Sequence, residues 1–235
     1  MKLLRILVFF VLVIGLVGGY FGVIPGVSKL FGSDKPRDLG VTFSEADFKN
    51  MEAKTGATAE LMPDSEMVNL TIKHVGQHNV DATFTQEEFT SKVSNRQWRD
   101  NPFGNVQVKF NADGSAEASG ILKLPIATRF FAAMGIASAD VEAAARKFKV
   151  PMADVPFYFK GTGVAENNHI TPNLTALEIG RVPVPKAIID QYQQEAADLA
   201  TDLLSRVQGF SLEKAEIVES KLHFVGTLPD KEYYR

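Results

Sequence analysis

The chain has no cysteine, and this absence excludes several kinds of chemistry. Without thiols there can be no disulfide, no thiolate nucleophile, no cysteine-ligated metal centre and no lipid attached through cysteine. Basic residues are also in deficit, because 25 Lys and Arg are set against 28 Asp and Glu, giving a net charge of −3. The sequence has no stripe of basic residues that could bind the phosphates of a nucleic acid, so we exclude nucleic acid as a partner.

The signatures of common enzyme classes are missing as well. The chain contains no nucleophile elbow, no Walker loop and no dinucleotide-binding glycine pattern. His74 and His78 have the spacing of two ligands on a helix, but Gly76 and a strand-like context argue against a helix there. Acidic residues are scattered, and no pair can be picked for acid–base catalysis. We therefore predict a non-catalytic protein without a cofactor or a metal site.

One long hydrophobic run is present near the N-terminus. Residues 6–24 carry no charge over nineteen positions, and as a helix they would measure about 28 Å, close to the hydrocarbon thickness of a bilayer. A cleaved secretory signal is the alternative, but it would have a shorter apolar region and a small-residue cleavage site. We predict an uncleaved, single-pass membrane anchor.

The anchor sets the expected organisation of the rest of the chain. Lys2 and Arg5 favour a cytoplasmic N-terminus, although basic residues also follow the run. A short N-terminal tail before one apolar helix usually leaves the long C-terminal part outside the cytoplasm, and we expect that arrangement here. The predicted organisation is an anchor at 1–25, a tether at 26–40, one extracytoplasmic domain at 41–229 and a polar tail at 230–235.

A short motif occurs twice, forty-one positions apart, at residues 42–48 and 83–89. Each copy predicts a helix start with a capping box and a hydrophobic staple. The cap residues are Ser44 with Asp47 and Thr85 with Glu88, and the staple pairs are Phe43 with Phe48 and Phe84 with Phe89. The repeat has two interpretations, a diverged duplication or two ordinary helices that are well capped.

Between and after these helices the hydrophobic pattern alternates between strand and helix periods. It predicts a strand at 67–75, a hairpin at 105–124 with its turn at 111–114, two helices at 126–134 and 139–149, a strand pair at 155–164 and 169–179, a helix at 185–207 and a final strand pair or bent strand at 212–226. No regular βαβ alternation is present, so the predicted fold class is α+β.

The candidate site consists of apolar side chains from segments with few polar residues between them. Such stripes usually form a protein core, but here they have a second interpretation, a groove for acyl chains between helices and sheet. The candidate groove residues are Phe130, Phe131, Met134, Phe157, Phe159, Ile188, Ile189 and Tyr192.

Two C-terminal segments, 177–185 (LEIGRVPVP) and 212–226 (LEKAEIVESKLHFVG), carry a resemblance together with the helix start at 41–48. Their order resembles that in YpmS-like membrane-anchored extracytoplasmic proteins and in TULIP-like periplasmic lipid-binding domains. The resemblance implies a curved antiparallel sheet packed on a long amphipathic helix, with an apolar groove for a lipid. It carries over no catalytic residue.

The leading hypothesis is therefore a membrane-anchored extracytoplasmic module that binds membrane lipid or another hydrophobic ligand. The alternative is a structural or accessory subunit of a membrane protein complex, in which the apolar surface contacts a protein partner.

Overall fold

A computed structural model describes residues 33–62, 72–94, 98, 101–133, 137–147 and 153–234. The fold is α+β, which confirms the predicted class. The predicted anchor at 6–24 lies outside the described residues, and none of the helices within them has the length and apolar character needed to cross a membrane. The helices are α1 (Glu45–Thr55), α2 (Gln86–Ser94), α3 (Leu124–Ala133), α4 (Ser138–Lys147) and α5 (Lys186–Ser205).

Eleven strands form two sheets in the described part of the chain. They are β1 (Thr58–Leu61), β2 (Ile72–Val75), β3 (His78–Phe84), β4 (Phe103–Phe110), β5 (Ala116–Lys123), β6 (Asp154–Glu166), β7 (His169–Ile179), β8 (Val182–Pro183), β9 (Ser211–Val218), β10 (Lys221–Leu228) and β11 (Lys231–Tyr234). The main sheet has the order β3-β10-β9-β6-β5-β4, with β7 on β6 and β8 on β7.

The main sheet forks at β6. Strand β7 pairs along one edge of β6, whereas β5 and β9 divide the other edge between them. Strand β5 takes residues 154–161, and β9 takes Ala165 and Glu166. The β4–β5 branch and the β9–β10–β3 branch therefore diverge from one shared strand, and the sheet is curved and does not close.

The hydrophobic core lies where α2 meets the two branches of the fork. Val106, Val108, Phe110 and Ala118 are buried on one face of the β4–β5 hairpin. The surrounding side chains come from α2, β5, β6, β9 and β10: Phe89, Val93, Ala116, Phe157, Ile217 and Leu222. Burying each large apolar side chain contributes about 1.5–3 kcal/mol, so this cluster stabilises the packing of the two branches.

Helix α2 lies against the outer edge of β4 and completes its hydrogen bonds with side chains. The hydroxyl of Thr90 accepts from the amide of Val108 at 2.9 Å and donates to its carbonyl at 3.1 Å. One turn away on either side, Gln86 accepts from the amide of Phe110 and Ser94 donates to the carbonyl of Val106. The spacing fits because four helical residues rise about 6 Å and two strand residues about 6.7 Å.

The other two outer strands of the main sheet also receive helix side chains. On β7, the amide of Leu174 donates to Gln193 of α5 at 3.1 Å, and α5 packs along this strand. On β3, the ammonium group of Lys54 of α1 donates to the carbonyl of Thr83 at 2.9 Å. An uncovered strand edge can pair with other chains; α5 covers the edge of β7, whereas Lys54 occupies one backbone group of β3.

Residues 231–234, predicted to belong to a polar tail, instead form the central strand of the second sheet. Strand β11 pairs parallel to β1 and antiparallel to β2. The pairing was invisible in the sequence because both partners lie more than 150 positions away.

His78 connects this region to α1, since its two ring nitrogens contact the carboxylate of Asp230 at 2.7 Å and the carbonyl of Thr55 at 2.6 Å.

Most of the predicted elements are confirmed. Both capping boxes form, the hairpin becomes β4 and β5, the strand pair becomes β6 and β7, and the two shorter helices and the long helix lie close to their predicted bounds. The predicted final strand pair is β9 and β10. Two regions differ. Of the predicted strand at 67–75, residues 72–75 form β2 and 67–71 lie outside the described residues. Strand β3 at His78–Phe84 was missed, because Thr83 and Phe84 belong to the repeated helix-start motif.

Candidate functional site

The predicted groove residues fall into three groups on different elements. Phe130 and Phe131 lie in α3 with ring centroids 5.2 Å apart, and Phe130 also packs edge-on against the buried Trp98 at 5.0 Å. Met134 lies outside the described residues. Phe130 thus connects α3 with Trp98, which lies between α2 and β4 and outside the predicted groove.

The second group lies in the first turns of α5. Ile189 is buried, Ile188 is exposed over 36 % of its surface, and Tyr192 is half-buried. Neighbouring positions on a helix point about 100° apart, which explains why adjacent isoleucines differ in burial. Because α5 packs along β7, this group belongs to the edge of the sheet, whereas the third group lies on β6.

The third group is part of a row of three phenylalanine rings, which we call the aromatic row. Its members are Phe103 of β4 and Phe157 and Phe159 of β6. The ring centroids are 6.1 Å apart from Phe103 to Phe157 and 6.3 Å from Phe157 to Phe159, with the last two rings stacked. Phe103 and Phe159 remain 37 % and 36 % exposed. The aromatic row is therefore a strip of apolar surface on the sheet.

Phe103 was missing from the predicted site, and a β-bulge explains why. The register of β4 against β5 shifts between Gly104 and Gln107, where Asn105 has a positive φ of 49°. The extra residue moves Phe103 onto the face of Val106 instead of the face of Gln107. No signal in a single strand reveals such a shift.

Gly120 of β5 provides the space in which the rings meet. It lies between β4 and β6, directly opposite Phe157. A Cβ atom at this position would approach Phe157 Cε1 to 2.9 Å and Val106 Cγ2 to 3.0 Å. The absence of a side chain here lets the Phe157 ring lie across β5 toward Phe103.

The opposite face of the same strands carries polar side chains in one cross-strand row, which we call the polar row. Its members are Gln107, Ser119, Tyr158 and Glu178, directly opposite one another on β4, β5, β6 and β7. Within the segment 33–41, most of which belongs to the predicted tether, residues 37–39 contact the polar row.

Four contacts hold this tether segment on the polar row, one of them a hydrogen bond that Gln107 donates to Asp38 at 3.2 Å. Gln107 accepts a hydrogen bond from the amide of Leu39 at 2.6 Å. Arg37 contacts Glu178 at 2.5 Å, and its guanidinium lies 4.1 Å from the centre of the Tyr158 ring. The predicted tether is thus in part a docked element of the domain.

Tyr158 and Glu117 form a hydrogen-bonded pair next to this segment. The phenol donates to Glu117 at 2.8 Å, and burial together with this carboxylate raises the pKa of Tyr158 to about 12. Burial alone would raise the pKa of Glu117, but hydrogen bonds from Tyr158 and Asn111 and the charges of Lys160 and Lys109 outweigh it and lower that pKa. The pair is therefore a neutral donor with an ionised acceptor at neutral pH, an arrangement that fixes the ring under Arg37.

The described residues contain no group of three or more His, Asp and Glu placed to hold a metal ion. Comparison of the chain with protein-family models, with curated proteins and with solved structures finds no match.

Proposed function

We propose that this chain is a membrane-anchored extracytoplasmic module that binds a lipid or another hydrophobic ligand and catalyses no reaction. The observation that carries the proposal is the aromatic row, in which two of three adjacent phenylalanines keep more than a third of their surface exposed. An acyl chain covering these rings would remove apolar surface from water at roughly 25 cal/mol per Å². The predicted anchor at 6–24 and the resemblance to lipid-binding domains support the same conclusion.

The chain offers a matched pair of substitutions to test this proposal. Phe159 and Phe43 are exposed to almost the same extent, 36 % and 38 %, but Phe43 precedes α1 and lies outside the aromatic row. We expect Phe159→Ser to reduce the lipid that co-purifies with the full chain in detergent by at least severalfold, whereas Phe43→Ser leaves it unchanged. Native mass spectrometry measures both. The proposal is wrong if no lipid is retained, or if the two variants retain as much lipid as the unsubstituted chain.

A second candidate function is that of an accessory subunit in a membrane protein complex. It is favoured by the second sheet, whose outer strands carry Leu61 with 67 % exposure and Val75 with 41 %. A photo-crosslinking residue at position 61 should then give a stoichiometric protein adduct in native membranes. A lipid adduct at position 159 without a protein adduct at 61 favours the first function.

A further inference from the structure

A cleft opens where the starting end of β6, the final end of β7, β8 and the tether segment meet. Its volume is about 280 Å³. Among the described residues that line it, Lys35, Arg37 and Arg181 are basic and Glu178 is acidic. The lining therefore has a formal charge of +2, whereas the whole chain has −3. We call this site the basic cleft.

Arg37 is held in place before any ligand arrives. Its guanidinium contacts Glu178 at 2.5 Å and lies over the Tyr158 ring at 4.1 Å. A guanidinium has five N–H donors, so one partner leaves others for a ligand, and a fixed side chain loses little freedom when it binds. Asp38, the next acidic residue along the chain, does not line the cleft. Its carboxylate accepts hydrogen bonds from the amide of Gly40 and the side chain of Gln107.

The chemistry of the lining selects an anion with more than one acceptor oxygen. Arginine forms paired, charge-assisted hydrogen bonds to phosphate and carboxylate, and two further cations nearby add attraction for an anionic group. The phenol of Tyr158, with its pKa near 12, stays neutral and adds no opposing charge. A volume of about 280 Å³ suits a polar group rather than a whole lipid.

The position of the cleft indicates where the phosphate comes from. Lys35 follows the last residue of the predicted anchor, Ile24, by eleven positions. Even a fully extended chain covers at most about 40 Å over that length, so the cleft stays near the bilayer surface. Phe157 lines the basic cleft and also belongs to the aromatic row, so the two sites adjoin at β6.

We propose that the basic cleft binds the phosphate group of a membrane lipid, an assignment whose lipid source rests on the proposed function. The test uses the full chain in detergent and native mass spectrometry with three probes: phosphatidylglycerol, diacylglycerol with the same acyl chains, and glycerol phosphate. Phosphatidylglycerol should bind about tenfold more tightly than diacylglycerol, as expected for charge-assisted hydrogen bonds.

Substitutions of cleft residues test whether the cleft causes the difference in affinity between the two lipids. Arg37→Gln and Lys35→Gln should each lower the affinity for phosphatidylglycerol toward that for diacylglycerol. Arg37→Lys should lower it less than Arg37→Gln. Lys49→Gln is the control, because it removes the same charge from an exposed position of α1 outside the cleft. Lys35 is exposed, so its variant reports on binding even if Arg37→Gln disturbs folding.

The outcomes separate this inference from the proposed function. If glycerol phosphate binds and Arg37→Gln abolishes its binding while neither lipid binds, the phosphate site stands, and its lipid source and the proposed function are wrong. If both lipids bind equally and no cleft substitution changes this, the proposed function stands and the phosphate site is wrong.

Discussion

Helices α1 and α2 begin with the same motif, but they hold the two ends of the main sheet in different ways. At the β4 end, three side chains of α2 complete four backbone hydrogen bonds, and Thr90 among them is fully buried. At the β3 end, α1 supplies the ammonium group of Lys54, which reaches the carbonyl of Thr83 at an exposed position.

The two capping boxes differ in the same sense. Asp47 caps α1 at the surface, whereas Glu88 caps α2 inside the protein with about 5 % of its surface exposed. Glu88 also forms an ion pair with Lys54 of α1 at 2.7 Å, so the buried cap links the two helices. Similar local signals therefore set where each helix begins, and the surroundings decide how much the sheet depends on it.

The largest expected effect follows from breaking the β4 edge. Thr90→Val keeps the shape of the side chain but leaves the amide and the carbonyl of Val108 buried without their partner. We expect a loss of about 3 kcal/mol in the free energy of unfolding, measured by urea denaturation of the full chain in detergent. Thr90→Ser retains the hydroxyl and should lose clearly less. Equal losses in the two variants would show that the hydroxyl does not matter.

The caps give the next largest effect. Glu88→Ala should cost about 2 kcal/mol, because it removes a buried acceptor, although Lys54 is exposed enough to be hydrated afterwards. Asp47→Ala should cost about 0.5 kcal/mol, as for an exposed cap. The same urea experiment measures both. If Asp47→Ala proved as costly as Glu88→Ala, burial would not be the cause of the difference.

The smallest expected effect concerns pH at the α1 end. Hydrogen bonds to the Thr55 carbonyl and to Asp230 raise the pKa of His78 above its ordinary value of 6.5. Protonated His78 therefore stabilises the folded state, by less than about 1 kcal/mol because the site is partly exposed. This contribution is complete below about pH 6.5 and is lost as the pH rises through the folded-state pKa.

The comparison of two histidine variants isolates this effect. The free energy of unfolding of His78→Gln should lack the part of the pH dependence between pH 6 and 8.5 that the unsubstituted chain shows. His169→Gln, at an exposed position where β7 begins, should keep it. An unchanged pH dependence in His78→Gln would contradict the assignment.

Local signals explain why so much of the fold could be predicted from sequence. The capping boxes at Ser44 and Thr85 and the turn at 111–114 act over three or four residues, so their chemistry is visible in a short stretch. The stripe along α5 is likewise a property of one helix. Each of these elements appears in the structure close to its expected bounds.

Long-range pairing explains the rest. Strand β11 finds β1 and β2 across most of the chain, and Arg37 meets Glu178 over 141 positions. Phe103 joins the aromatic row only because a bulge shifts its face by one residue. These relationships depend on register and topology, which no local pattern encodes. The aromatic row was therefore predicted in part, and the basic cleft could not be predicted.

The side chains with which α2 completes β4 have a consequence for recognition. A peptide that joins a sheet as an extra strand needs free backbone donors and acceptors along an outer strand. The carbonyl of Val106 already binds Ser94, both groups of Val108 bind Thr90 and the amide of Phe110 binds Gln86, so α2 occupies the place that such a peptide would take. Peptide addition at β4 would first require α2 to detach from the core. Molecules that bind this branch of the sheet must therefore approach its faces, where the side chains rather than the backbone determine which ligand is chosen.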